Sequence, residues 1–407
     1  MKKKLRRLNV SLGGKALGTI AETPDRKLFF EYTSSWLKEG FSISPYHLPL
    51  TPGLKREPTG TFEGLFGVFD DSLPDGWGRL LTDRFFRQQG RTPETLSPLD
   101  RLACVGRHGM GALEYEPVAE GAAPGQLAID LDEIATQAER IANGSPEEVL
   151  PALRVAGGSS GGSRPKAFVA YNPSTGEMAS DPSSSAEGFE HWLVKFRAKE
   201  DPADAGAIEA AYAVLARTAG IDIPCTRIFT TSSGRYFGIQ RFDWQAHGVR
   251  VHTHSFGGLI HSNFRFPNRD YREFLSIAFD VTKDFRQVEQ AFRRAVFNVL
   301  AHNRDDHVKN FAFVFNPSSG WRLAPAYDLT WSHGVRGEHN MTVMGSGNPS
   351  AKELLALAQD AGIDKRSAAE TIEAVRAAIA DWRRVARQFE VSNESITELQ
   401  KALPSLK

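Results

Sequence analysis

The sequence holds only two cysteines in 407 residues, Cys104 and Cys225, and neither has a motif partner. That argues against a disulfide-built scaffold and suits a reducing compartment. No CxxC or HExxH motif is present, so a zinc centre has little support. No run approaches the roughly 20 consecutive apolar residues that a membrane helix needs. The opening MKKKLRR is basic, but no apolar signal core follows it. It reads as a solvated N-terminus, which leaves the chain in the cytoplasm with no membrane partner. Neither sign of charge is in excess, with 49 Lys+Arg against 49 Asp+Glu. A global electrostatic pull toward nucleic acid is therefore not expected. Internal repeats and sustained strand–helix alternation are also missing, which argues against a doubly wound parallel sheet.

What is present is an ordinary globular composition, 41% hydrophobic and 24% charged, in a chain long enough for two or three domains. Residues 1–117 carry short alternating runs. LNVSLGGKALGTIAE predicts two strands joined by a Gly-Gly turn, KLFFEYTSSWL continues as a strand, and GMGALEYEPV closes the region. Between them, LPDGWGRLLTDRFFRQQG has helical spacing, with Trp77, Leu80, Leu81 and Phe85 on one face. Residues 118–130 are small, polar and Gly/Pro-containing, as in a linker, and 131–142 predict a helix.

Residues 118–243 then predict a mixed lobe. The Gly/Ser loop GGSSGGS leads into the strand KAFVAYN, followed by the strand HWLVKF, a periodic helix over 205–220, and the strands CTRIFTT and RYFGIQRFDW. Residues 244–407 are mostly helical, with DYREFLSIAFDV, FRQVEQAFRRAVFNVLAH and a run over 351–390.

The most polar stretch is HNRDDHVKNFAF, residues 302–313. It follows a helix whose Val288, Phe292, Val296 and Leu300 share one face, and it precedes the hairpin FAFVF–NPSSG–WRLAPAYD. The reactive groups therefore lie on a loop between rigid elements. Arg304, Asp305 and Asn310 reproduce the R-D-x-x-x-x-N spacing of a phosphotransferase catalytic loop. There the aspartate orients the attacking hydroxyl and the asparagine holds Mg²⁺. A second metal-binding acid is expected after one hairpin, at Asp328. Clustered carboxylates beside phosphate oxygens make chemical sense only with Mg²⁺ between them.

Upstream, Gly161, Gly162 and Ser163 offer backbone and hydroxyl donors to an anion, and residues 161–166, ending at Lys166, would cover the ATP phosphates. Lys195, alone in HWLVKF, matches the strand lysine that reaches the α and β phosphates. The backbone of Gln240 to Phe242 would read the adenine edge, with Phe242 packing beside it. His307 and Lys309 would contact the γ-phosphate or steady the loop. Taken singly, each feature has a plain alternative. A Gly/Ser loop is usually a linker, a lone strand lysine usually snorkels, and an aspartate near a helix end usually caps it. His302 and His307, or His252 and His254 in VHTHSF, would then be structural or surface groups. The order of the features, from glycine loop to final aspartate, favours the phosphotransfer reading.

With these motifs in place, the chain resembles the HipA family, kinase toxins of bacterial toxin–antitoxin modules. The likeness rests on LGTIAE, FEGLFGVFDDSLPDGWG and RLACVGRHGMGALEY near the N-terminus. GGSRPKA, RFD, RDDHVKN and APAYDL carry it through the remainder. It implies an α+β, two-lobed protein-kinase-like fold with an extra N-terminal mixed α/β domain and a mostly helical C-terminal lobe. It implies ATP and Mg²⁺ as cofactors and serine/threonine phosphotransfer to a protein such as an aminoacyl-tRNA synthetase. It also implies autophosphorylation in the glycine loop. Counting back from Lys166 places that serine at Ser159, with Ser160 and Ser163 as rivals. The implied partner is a small helix-turn-helix, HipB-like antitoxin, through which DNA is reached indirectly. The chain departs from the family pattern at Asp306, where glycine is common, and at Gln240, where glutamate is common.

Two rivals remain at this point. One is a pseudokinase or antitoxin-binding module without turnover. The other is a metal-dependent phosphohydrolase built on His302, Asp305, Asp306 and His307.

Overall fold

A computed structural model describes residues 6–119, 127–145, 149–158, 161–180, 188–245 and 248–403. The predicted linker therefore lies partly, and Ser159 and Ser160 lie wholly, outside the described residues.

The N-terminal region is built on a four-stranded antiparallel sheet in the order Leu28–Tyr32, Lys15–Glu22, Arg7–Leu12, Leu113–Glu116. Gly13 and Gly14 form the first turn with φ of 57° and 74°, values a side chain would resist. Alternation in RLNVSL buries Leu8 and Val10. KLFFEYTSSWL does not stay extended. Thr33 accepts from the Trp36 amide and starts a short helix, Ser34–Glu39, so capping chemistry overrides the strand pattern. A second helix, Pro98–Val105, begins with a full capping box between Ser97 and Asp100.

The helix Gly76–Gln88 leaves this sheet. Its Trp77 and Leu81 are buried with residues of the helices Leu131–Ala142 and Pro151–Gly157, beneath the next sheet. That sheet has five antiparallel strands in the order Met178–Ala179, Lys166–Tyr171, Glu190–Lys195, Arg235–Gln240, Thr226–Thr230. Its register places Lys166 opposite Lys195. The helix Ala205–Thr218 packs on its other side.

The C-terminal region packs the helices Tyr271–Thr282, Phe285–Leu300, Ala351–Asp360 and Lys365–Ala380 around one large apolar core. Trp382–Gln388 and Asn393–Gln400 complete it. A three-stranded sheet, His252–Ser255, Ala312–Asn316 and Gly320–Leu323, interrupts the helices. VHTHSF thus supplies a strand within the otherwise helical region, and His252 and His254 are buried structural groups. No helix among the described residues is long and apolar enough to cross a membrane.

Candidate active site

The five-stranded sheet, the three-stranded sheet and the 71–76 segment of the N-terminal region meet at a cavity of about 570 Å³. Its lining includes Gly161, Gly162, Ser163, Lys166, Lys195, Gln240, Phe242, Asp305, His307, Lys309, Asn310 and Asp328. The fold thus collects every described residue that the sequence marked for phosphate, nucleotide or metal binding.

The loop 302–311 follows the buried helix Phe285–Leu300 and ends in the strand Ala312–Asn316, so both of its ends are fixed. It also closes on itself, because the Asn310 amide nitrogen donates to the Asp305 carbonyl at 2.7 Å. That leaves the Asn310 carbonyl oxygen as a ligand-type group. His307 Nδ1 accepts from the Lys309 amide at 3.2 Å and starts the short 3₁₀ turn Val308–Asn310. Burial pushes the Asp305 carboxyl above the usual range and Asp328 adds to this, against the opposing pull of His307.

Asp328 and Lys195 form an ion pair, and Lys195 also binds Glu209 of the helix Ala205–Thr218. One ammonium thus serves two carboxylates. Burial alone would raise Asp328, but Lys195 and Lys166 outweigh it and hold this carboxyl well below its usual range. Glu209 is pushed up by burial and by the nearby Asp328. Lys195 is held charged, above its ordinary value, because the two acids overcome its burial. Lys166, buried directly across the strand pair, is lowered by burial and by its neighbour Lys195. Asp328 has φ 57°, a left-handed conformation that a non-glycine residue keeps only where its surroundings enforce it.

The strand end at Gln240 is more constrained than expected. The Gln240 and Arg241 amides donate to the Cys225 and His191 carbonyls, both at 2.8 Å, so both N–H groups are already engaged by the chain. Phe242 stacks on Tyr327 with ring centroids 5.7 Å apart, and the Tyr327 hydroxyl donates to the Lys309 carbonyl at 2.7 Å. In RFD, Arg241 and Asp243 form a buried ion pair, and the Gly111 amide donates to Asp243 at 2.7 Å. That motif fixes the junction to the N-terminal region.

The phosphohydrolase set is not brought together. Asp306 is fully buried and accepts from the Tyr271 hydroxyl, the His339 ring and the Asn340 amide. Its carboxylate is engaged behind the loop and is absent from the cavity lining. Among the described residues no group of three or more His, Cys, Asp or Glu is placed to hold a metal ion.

Sequence reasoning missed Glu209 and the acids of FDDSLPDG. Glu209 was readable as a single acid on the buried face of an apolar helix, beside Ile208 and Tyr212. Asp70, Asp71 and Asp75 reach the cavity region from the N-terminal side. Asp70 and Asp75 lie 3.5 Å from Lys309, and Asp71 binds His254 at 2.7 Å and the Ser255 amide at 2.7 Å. No local pattern in the sequence announces these contacts.

Comparison with known proteins matches this architecture. A family model described as the HipA N-terminal domain matches residues 8–116, and one described as the HipA-like C-terminal domain matches residues 158–382. A putative kinase, Y4dM, of Sinorhizobium fredii is 24% identical over 341 residues, covering 79% of this chain and 76% of that protein. A chain from the Shewanella oneidensis MR-1 toxin–antitoxin complex of HipA, HipB and operator DNA superposes with a TM-score of 0.70. The two share 20% identity, and the match covers 98% of this chain and 92% of that one. The fold is therefore α+β and kinase-like, of the HipA type, and the chain belongs to the HipA family.

Proposed function

We propose that this chain is an ATP- and Mg²⁺-dependent serine/threonine protein kinase, the toxin of a toxin–antitoxin pair. The observation that carries the reading is the shared ammonium: Lys195 bound to Glu209 and Asp328, on the wall of a cavity that also holds Asp305 and Asn310. A strand lysine paired with a helix acid, beside an aspartate free to take Mg²⁺, is the arrangement by which protein kinases align phosphates.

The donors suit Mg²⁺, a hard cation that prefers oxygen. Asp328 and the Asn310 carbonyl oxygen would hold it, and it would neutralise charge on the transferring phosphoryl group. Asp305 then orients the acceptor hydroxyl, and its raised carboxyl is suited to taking the proton. Lys195, Lys166 and Ser163 all line the cavity. The reaction relies on positioning and charge neutralisation, with no covalent enzyme intermediate.

Autophosphorylation in the glycine loop belongs to the same reading. A phosphate on Ser159, Ser160 or Ser163 would carry close to two negative charges beside the nucleotide phosphates and oppose their binding. The partner would be a small HipB-like helix-turn-helix antitoxin, by analogy with the Shewanella complex. The acceptor would be a cytoplasmic protein such as an aminoacyl-tRNA synthetase.

The test is Mg²⁺-dependent transfer from labelled ATP, with phosphoproteomics after expression of wild type against Asp305→Ala. Transfer by wild type alone, to a discrete set of Ser/Thr sites, is the expected result. Nucleotide binding without turnover by wild type would return the pseudokinase reading.

A further inference from the structure

Asp75 precedes the helix Gly76–Gln88, in the N-cap position, yet its side chain makes no bond to that helix. An aspartate there ordinarily accepts from the second or third amide of its own helix. Here Oδ1 accepts from the Gly162 amide, and Oδ2 lies 3.5 Å from Lys309 Nζ. The two residues that follow extend the contact. The Trp77 amide donates to the Gly162 carbonyl at 2.9 Å, and the Trp77 indole donates to the Lys166 carbonyl at 3.0 Å. Gly76 packs so closely that a Cβ would lie 2.6 Å from the Gly162 carbonyl oxygen. One turn of the N-terminal region therefore holds both the glycine loop and the catalytic loop.

The need for such a hold follows from the topology. The glycine loop here is not the turn of a hairpin. It leaves the helix Pro151–Gly157 and enters the strand Lys166–Tyr171, so no second strand of its own supports it. A glycine-rich segment loses the most backbone freedom on ordering, and it keeps one shape only when bonded from outside. An amide-to-carboxylate bond is of the stronger, charge-assisted kind. Lys309, half-buried and also 3.5 Å from Asp70, balances the charge this brings to the cavity.

We propose that Asp75 is a positioning residue: it clamps the glycine loop through Gly162 and ties it to the catalytic loop through Lys309, so that the N-terminal region completes the phosphate site. This rests on the nucleotide reading above, and two measurements on the full-length protein keep the two claims apart.

The first needs no nucleotide. Hydrogen–deuterium exchange of peptides covering 161–166 should be at least tenfold faster in Asp75→Asn than in wild type, with the helix 285–300 unchanged. Asp75→Glu, which keeps the charge, should recover part of the protection. Equal exchange in wild type and Asp75→Asn overturns the clamp. The second compares ATP with adenosine by calorimetry. Asp75→Asn should weaken ATP–Mg²⁺ about tenfold and leave adenosine within twofold. A general folding defect would weaken both, and a carboxylate that merely occupies the phosphate position would, when removed, tighten ATP. Either result overturns the proposal. Faster exchange in a protein whose wild type binds no ATP supports the clamp and removes the nucleotide reading instead.

Discussion

Asp305 and Asp306 are neighbours in the chain and opposites in surroundings. Asp305 is exposed on the cavity wall, where partial desolvation and the nearby Asp328 raise its carboxyl. Asp306 is 0% exposed and meets three partners: Tyr271, His339 and the Asn340 amide. The contrast extends beyond the pair. In the cleft, Lys195 is shared by two carboxylates and Lys309 stands among three. In the frame behind it, Asp243 is held bidentately by Arg241 and by the Gly111 amide, and His261 sits between Glu57 and the Gly67 amide. The frame satisfies its charges, whereas the cleft leaves charge incompletely compensated, which is how a site stores the capacity to bind a charged ligand.

The largest expected effect separates chemistry from stability. Asp305→Ala should lower phosphotransfer by about a hundred- to ten-thousandfold, the range for losing a positioned proton acceptor. Because the folded protein disfavours the Asp305 charge, the same change should leave Tm unchanged or raise it slightly. Rate assays and thermal melts on one preparation check both halves. A large fall in Tm would break the comparison at its sharpest point.

Next comes the mirror experiment. Asp306→Ala removes the acceptor for three buried donors at once, and it should destabilise the fold by about 3–5 kcal/mol. Urea unfolding measures this directly. A cost under about 1 kcal/mol would place Asp306 with the cleft, not the frame.

The contrast was only half legible in the sequence. The R-D-x-x-x-x-N spacing, the lone strand lysine and the aspartate after the hairpin are local patterns, and the fold brings them to one cavity. Helices with strong periodicity, such as Phe285–Leu300, were equally readable. The frame was not, because its bonds join residues far apart in the chain. Asp243 meets Gly111, and His261 meets Glu57 and the Gly67 amide. No spacing rule spans such separations. Extended VHTHSF was hidden for the same reason, since its pairing partner, Ala312–Asn316, lies far along the chain.

The smallest expected effect tests the frame through pH. His252 is buried against Phe41 and Trp321, with Nε2 2.8 Å from the Ile43 carbonyl. Burial lowers its pKa to about 4, although the Ile43 bond opposes the shift. In the unfolded chain the imidazole titrates near 6.5. Between these values the unfolded state binds a proton that the folded state does not, so acidification favours unfolding. The stability associated with neutral His252 is present above the unfolded value and is lost as pH falls toward 4. From pH 7 to pH 5 this amounts to about 2 kcal/mol. His252→Gln keeps a donor for the Ile43 carbonyl and does not titrate. Its stability should fall less steeply over that range, by about 2 kcal/mol, measured by urea unfolding at pH 7, 6 and 5. Other lowered histidines, His47 and His261 among them, contribute the same slope to both proteins and cancel in the difference. Parallel curves would mean that His252 titrates in the folded protein as it does in the unfolded chain, and that its burial costs the imidazolium nothing.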